Sequence, residues 1–172
     1  MNKGFTLVEI LVAIALFSIV MVVALGAMFS MVDANRKAQA VNLSMTNLNF
    51  ALEAMSRSLR TGTEYSCGRG GDCTAGDTMI RFTNQTNQSI VYRYNSTDKS
   101  IERSLNGGGS YSRLTAPEVL ITSMTFYVTG STAGDTVQPR ILITLKGTAG
   151  TKPETQTSFN IQTTVVQRIL DL

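Results

Sequence analysis

Residues 5–32 read FTLVEILVAIALFSIVMVVALGAMFSMV, and Glu9 is the only charged side chain among them. No proline interrupts the run. At about 1.5 Å per residue a helix of this length spans about 42 Å, enough to cross the ~30 Å hydrocarbon core of a bilayer. A segment in that core must satisfy its own backbone, so the stretch predicts an α-helix. The plain alternative is a cleaved secretory signal, with Ala24-Leu25-Gly26 as its small-residue site. The uncharged run Ile10–Val32 is longer than the 7–15 residues of a signal h-region, and Glu9 sits near its start. A simple single-span anchor explains the length but not the carboxylate. A carboxylate inside a membrane segment is costly unless paired, which marks Glu9 as a candidate functional residue.

The stretch Lys3-Gly4-Phe5-Thr6-Leu7-Val8-Glu9-Ile10-Leu11-Val12-Ala13-Ile14 closely resembles the N-terminus of type IV pilins and pseudopilins. The resemblance rests on a basic residue, Gly, Phe, a Glu five residues after the Gly, and an unbroken apolar helix. It implies cleavage after Gly4 by a prepilin peptidase on the cytoplasmic side, and N-methylation of the new terminus, Phe5. It also implies that the apolar helix stays on the protein as the core of a filament. The implied partners are other pilin or pseudopilin subunits, the prepilin peptidase, the inner-membrane assembly platform and the lipid bilayer. The implied location is a single-pass inner-membrane protein, N-terminus in the cytoplasm and C-terminal domain outside. Lys3 agrees with the positive-inside tendency, although Arg36-Lys37 beyond the run weakens it.

Cleavage at Gly4 would create an ammonium at Phe5, and low dielectric would make it attract the Glu9 carboxylate strongly. Residues four apart share a helix face, so the residues alone allow pairing within one chain or between chains. The resemblance favours the neighbouring subunit, where the pair would set the axial register of assembly.

Composition narrows the remaining classes. The chain has 172 residues, 43% apolar content and a net charge of +3. The chain beyond the anchor is long enough for one domain with its own core. The basic residues are scattered, so nucleic-acid binding is not expected. There is no histidine, which removes the commonest metal ligand and general base. No nucleophile–base pair can be assembled, and Glu64, Glu102, Glu118 and Glu154 read as solvated surface. The expectation is a protein that is not an enzyme and has no metal or cofactor.

Beyond the anchor, Val41, Met45, Leu48, Leu52, Met55 and Leu59 recur at spacings of four and three. This predicts an amphipathic continuation that joins the anchor in one helix from Phe5 to about Arg60, its stripe packed on the chain's own sheet, with a coiled coil to a partner as the alternative. Thr61-Gly62-Thr63 ends it, with Gly62 suited to the position after the last turn. Many major pilins carry Pro where this chain has Gly26, so a sharp kink is not expected and Gly26 is the weak point.

Cys67-Gly68-Arg69-Gly70-Gly71-Asp72-Cys73 holds both cysteines. In an extracytoplasmic domain it reads as a disulfide closing a tight loop; a metal clip is the rival. Period-two patterns predict strands at 78–83, 89–94, 100–105, 119–129, 140–146 and 158–166. Arg103 breaks the apolar face of the third, placing it at an edge. Asn106-Gly107-Gly108-Gly109-Ser110 reads as a flexible break, and 111–117 as a linker or short strand.

The expected fold is α+β: a long N-terminal helix, transmembrane in its first half, packed on an antiparallel sheet domain. Its segments are a leader at 1–4, the membrane and filament-core helix at 5–32, its amphipathic continuation at 33–62, and the sheet domain at 63–172. The layout and the ending Thr163-Thr164-Val165-Val166-Gln167-Arg168 also resemble J-class minor pseudopilins and PilW-like minor pilins. The reading is a structural subunit of a type IV pilus or type II secretion filament. The alternative is a membrane-tethered adhesin or DNA-uptake module.

Overall fold

The computed structural model describes residues 4–68, 70–132, 137–150 and 156–169. Among the described residues one helix, α1 (Leu7–Arg60), is followed by nine strands: β1 (Thr63–Cys67), β2 (Cys73–Asp77), β3 (Met79–Thr83), β4 (Ser89–Asn95), β5 (Ser100–Ser104), β6 (Ser112–Arg113), β7 (Val119–Thr129), β8 (Arg140–Ala149) and β9 (Thr157–Val166). The chain divides into two compact units, Met1–Gln39 and Ala40–Leu172, and α1 runs through the boundary.

In the first unit every described side chain is exposed, and the apolar ones form the wall of a bare helix. Its most apolar window has a mean hydropathy of 2.9. The Ser18 hydroxyl donates to the Ile14 carbonyl at 2.8 Å, which satisfies it within the helix. Helix continues through Gly26 and Ser30, as the missing proline leads one to expect. The helix begins at Leu7 instead of Phe5, because Thr6 serves as its cap: Thr6 Oγ1 accepts from the Glu9 amide at 3.3 Å.

In the second unit the predicted stripe is the buried face of the helix. Leu48, Leu52, Met55 and Leu59 are buried, with Ser44 and Ala51 between them, while Met45 packs half-buried at the margin. Glu53, Arg57 and Arg60 face outward, and Arg57 pairs with Glu53 across one turn at 2.9 Å. From Leu48 to Leu59 the stripe packs on the chain's own strands.

The strands form two antiparallel sheets. Sheet A has the order β1-β3-β4-β5-β6, and sheet B the order β2-β7-β8-β9. Their inner faces and the stripe share one core that includes Ile80, Phe82, Tyr92, Ile101, Met124, Phe126, Ile141 and Ile143. The rings of Tyr65, Phe82 and Tyr92 stack in a row, with centroids 6.1 and 5.8 Å apart. Polar turns close the hairpins of sheet A by asparagine chemistry. Asn84 Oδ1 accepts from the amides of Thr86 and Gln88, and Asn95 Oδ1 from those of Thr97 and Asp98.

Three expectations need correction. β5 lies inside sheet A, because the two-residue β6 covers its far side. Arg103 is only half-buried, and Leu105 is exposed beyond the strand. The glycine-rich segment after β5 is ordered: Asn106 Oδ1 accepts from the Ser110 amide and the Ser104 hydroxyl, and Gly107 N–H donates to Ser89 at 2.8 Å. That loop folds back on buried Ser104, whose hydroxyl accepts from the Gly108 amide at 2.9 Å. The residues flanking the cysteine loop are strands, β1 and β2, and β1 escaped notice because only Tyr65 and Cys67 face the core.

The end of α1 is fixed from three sides. The Tyr65 hydroxyl lies 2.5 Å from the Leu59 carbonyl and 2.6 Å from that of Gly62. Burial holds its pKa well above the usual tyrosine range. The Arg168 amide donates to the Arg60 carbonyl at 2.8 Å. Gly62 is required by proximity and not by a left-handed turn: an added Cβ would lie 2.4 Å from Phe82 Cδ2. Tyr65→Phe is therefore expected to cost about 1–2 kcal/mol by orphaning these carbonyls. Gly62→Ala should cost about 1–3 kcal/mol by overpacking Phe82. Denaturant unfolding of the purified full-length chain checks both, and wild-type stability in either variant contradicts this account of the helix end.

Candidate functional site

The N-terminal site is built on the first turns of α1. Thr6-Leu7-Val8-Glu9 has the S/T-x-x-E spacing of a capping box, and the Thr6 half of it is formed. The Ile10 amide closes the first helical bond to the Thr6 carbonyl at 3.3 Å. A negative charge at the third helical position also suits the positive end of the helix dipole. Helical spacing brings Phe5, Glu9, Ala13 and Phe17 to one side, where they line a shallow crevice with Ile10 and Ile14. Phe5 is 78% exposed, and a Cβ built on Gly4 would meet nothing within 4 Å. Among the described residues no cation pairs with the Glu9 carboxylate. Phe5 and Glu9 thus share one accessible side of a capped helix start, and Gly4, next to Phe5 in the chain, is exposed. The capping spacing was present in the sequence and accounts for where the helix begins.

The second predicted pair is also brought together. Cys67 and Cys73 form a disulfide, with their Cα atoms 6.2 Å apart. Its placement could not be read from spacing. It joins β1, an edge of sheet A, to β2, an edge of sheet B. The loop it closes is held down by Asp72, whose carboxylate accepts from the backbone amides of Gly130 at 3.1 Å and Ser131 at 2.7 Å, just past β7. Burial alone would raise the Asp72 pKa, but the amide hydrogen bonds outweigh it and the carboxyl sits below its ordinary value. Sequence reasoning missed this anchor, since a lone aspartate in a glycine loop carries no pattern.

It also missed Glu102. This residue is 8% exposed and not solvated surface; its carboxylate takes Arg93 Nε at 2.7 Å and Asn95 Nδ2 at 2.8 Å. Burial would push its pKa up, while Asn95, Arg93 and nearby Arg113 pull it down further, leaving it lowered. Arg93 also stacks 3.5 Å over the Tyr111 ring. The cluster ties β4, β5 and the glycine-rich loop into one surface; it contains no nucleophile. Glu64 accepts from the Thr83 hydroxyl at 2.8 Å, and Glu154 lies outside the described residues.

Fold and site together describe an α+β subunit with a long apolar N-terminal helix of membrane-spanning composition. Residues 1–25 match the family model described as the prokaryotic N-terminal methylation motif, which supports the resemblance to type IV pilins. No curated protein and no solved structure matches the chain.

Both carboxylates have folded-state pKa values below their unfolded ones. Their stabilisation is complete above the ordinary carboxylate range and is lost as pH falls through the lowered values. Asp72→Asn should cost about 0.5–1 kcal/mol near neutral pH. It should cost almost nothing once the wild-type aspartate is protonated. Thermal unfolding of both chains from pH 7 to pH 3 checks this; a pH-independent difference contradicts the role given to the charge. Replacing both cysteines with serine should lower stability by about 2 kcal/mol. Thiol titration of the native chain should find no free thiol, and free thiols in it would refute the bond.

Proposed function

We propose that this chain is a minor pilin or pseudopilin that enters a type IV pilus or type II secretion filament through its N-terminal helix. The observation that carries the reading is the accessible pair Phe5 and Glu9, directly after Gly4, at the capped start of a helix that carries no other charge up to Val32. In this reading a prepilin peptidase cuts after Gly4, and Phe5 becomes the methylated N-terminus. Residues 5–32 hold the subunit in the inner membrane before assembly and line the filament core afterwards. Glu9 then receives the Phe5 ammonium of an adjacent subunit, which sets axial register. The methylation motif at residues 1–25 supports processing. The disulfide supports an oxidising compartment for the sheet domain, with the N-terminus in the cytoplasm.

The role is structural: the described residues offer packing surfaces and stabilising ion pairs, and the reading assigns no catalytic group or cofactor. The J-class pseudopilin or PilW-like minor pilin is the finer form of the proposal, supported by the order of elements and the C-terminal strand sequence.

Two measurements test it. Mass spectrometry of the native membrane protein should give a mature chain beginning at Phe5 with an added methyl group. A start at Ala27 or an intact Met1 contradicts the reading. Glu9→Leu should leave membrane insertion and cleavage intact, since it only lengthens the apolar run. It should reduce the sheared-filament fraction of this subunit at least tenfold, the equivalent of about 1.4 kcal/mol. Normal incorporation of the variant would remove Glu9 as the assembly contact.

A further inference from the structure

Of the four strand edges in the two sheets, three are blunted. β1 is short, has a register shift between Thr63 and Ser66, and is tied down by the disulfide. β2 has five residues, a register shift and a left-handed Gly76 at φ 81°. β6 has two residues, one of them Arg113. These are the ways in which sheet proteins prevent unwanted pairing. The fourth edge, β9, uses none of them. Its ten residues, TSFNIQTTVV, contain no charge, proline or glycine. They pair with β8 in unbroken register from Arg140↔Val166 to Ala149↔Thr157. On its other side no described strand pairs with it. The row that faces the core side of sheet B, Phe159, Ile161 and Thr163, is only half-buried, whereas Val165 at its end is covered.

We propose that the open edge of β9 binds an extended segment of another protein, which adds to sheet B as a fifth strand. The backbone fixes the class of partner, because a free row of alternating N–H and C=O groups is satisfied in order only by another extended chain. The side chains refine it. The incoming segment is uncharged, carries apolar residues at alternate positions beside Phe159 and Ile161, and polar residues beside Asn160, Gln162 and Thr164. A second copy of this chain does not fit. Antiparallel pairing of β9 with itself needs a twofold axis perpendicular to the sheet. That axis would set the stretches of α1 packed in the two cores antiparallel to one another. β2, the other edge of sheet B, is too short and too irregular to serve as the complement. The inference does not depend on the role of Glu9.

The test uses the full-length chain in detergent micelles and a synthetic peptide of alternating threonine and isoleucine with lysine at both ends. The control peptide has the same side chains with every backbone nitrogen methylated, so that neither of its edges can donate to β9. The alternating peptide should bind by fluorescence anisotropy and slow hydrogen exchange at β9 amides alone. The methylated peptide should bind at least tenfold more weakly. Thr163→Lys, which puts a charge in the half-buried row, should weaken binding at least tenfold, and Thr163→Val should retain it. No binding, equal binding of the methylated peptide, or protection away from β9 would each overturn the proposal. So would Thr163→Val losing binding together with Thr163→Lys.

Discussion

A carboxylate held in hydrocarbon without a cation costs several kcal/mol, and Glu9 is the only charge in a helix segment otherwise built for hydrocarbon. Residues 5–32 otherwise present almost only exposed apolar side chains, with Thr6 at the helix cap. Nothing in such a cylinder distinguishes one axial position from another except the carboxylate near its start. A charge that must find a partner gives the helix a direction and a register, which apolar packing by itself supplies weakly. The proposed filament role rests on that asymmetry.

The second unit answers a different requirement. From Ala40 on the same helix carries a single apolar stripe, and the two sheets cover it. The unit is fastened at the end of the helix and between the sheets. Tyr65 and the Arg168 amide secure the last turn, Gly62 lets Phe82 approach it, and the disulfide links one edge strand of each sheet. Asp72 and Glu102 then fasten the loops that no apolar pattern holds. The unit therefore has its own core and its own fastenings.

Much of this was legible in the sequence because it is written in periods. The spacing of Leu48, Leu52, Met55 and Leu59 located the buried face of the helix, and the alternation of Met124, Phe126 and Val128 marked β7. What escaped was structure made by single residues and backbone. β2 reads Cys-Thr-Ala-Gly-Asp and has no apolar alternation; it is a strand because β7 offers it an edge, and Gly76 lies against Thr125 and Tyr127. The run Asn106–Ser110 looked flexible because glycine has no side chain to read. It is ordered by Asn106 and by backbone bonds back to β4 and β5. Glu102 looked like surface because its partners, Arg93 and Asn95, come from the neighbouring strand. At the N-terminus the residues of the site were legible, and the cap that positions them was there in Thr6 and Glu9.

The central claim is that Glu9 meets the N-terminus of a different subunit. Solid-state NMR of filaments assembled from two populations tests it directly. One population carries 15N at phenylalanine, and the other carries 13C at the glutamate carboxyl. Since each label is confined to its own chains, a Phe5–Glu9 contact can dephase the carbon signal only if it crosses between subunits. The account predicts dephasing at contact distance, from an ionised carboxylate, in the mixed filament. Dephasing only when both labels are placed in the same chain would contradict it, leaving Glu9 as an internal partner of its own helix end.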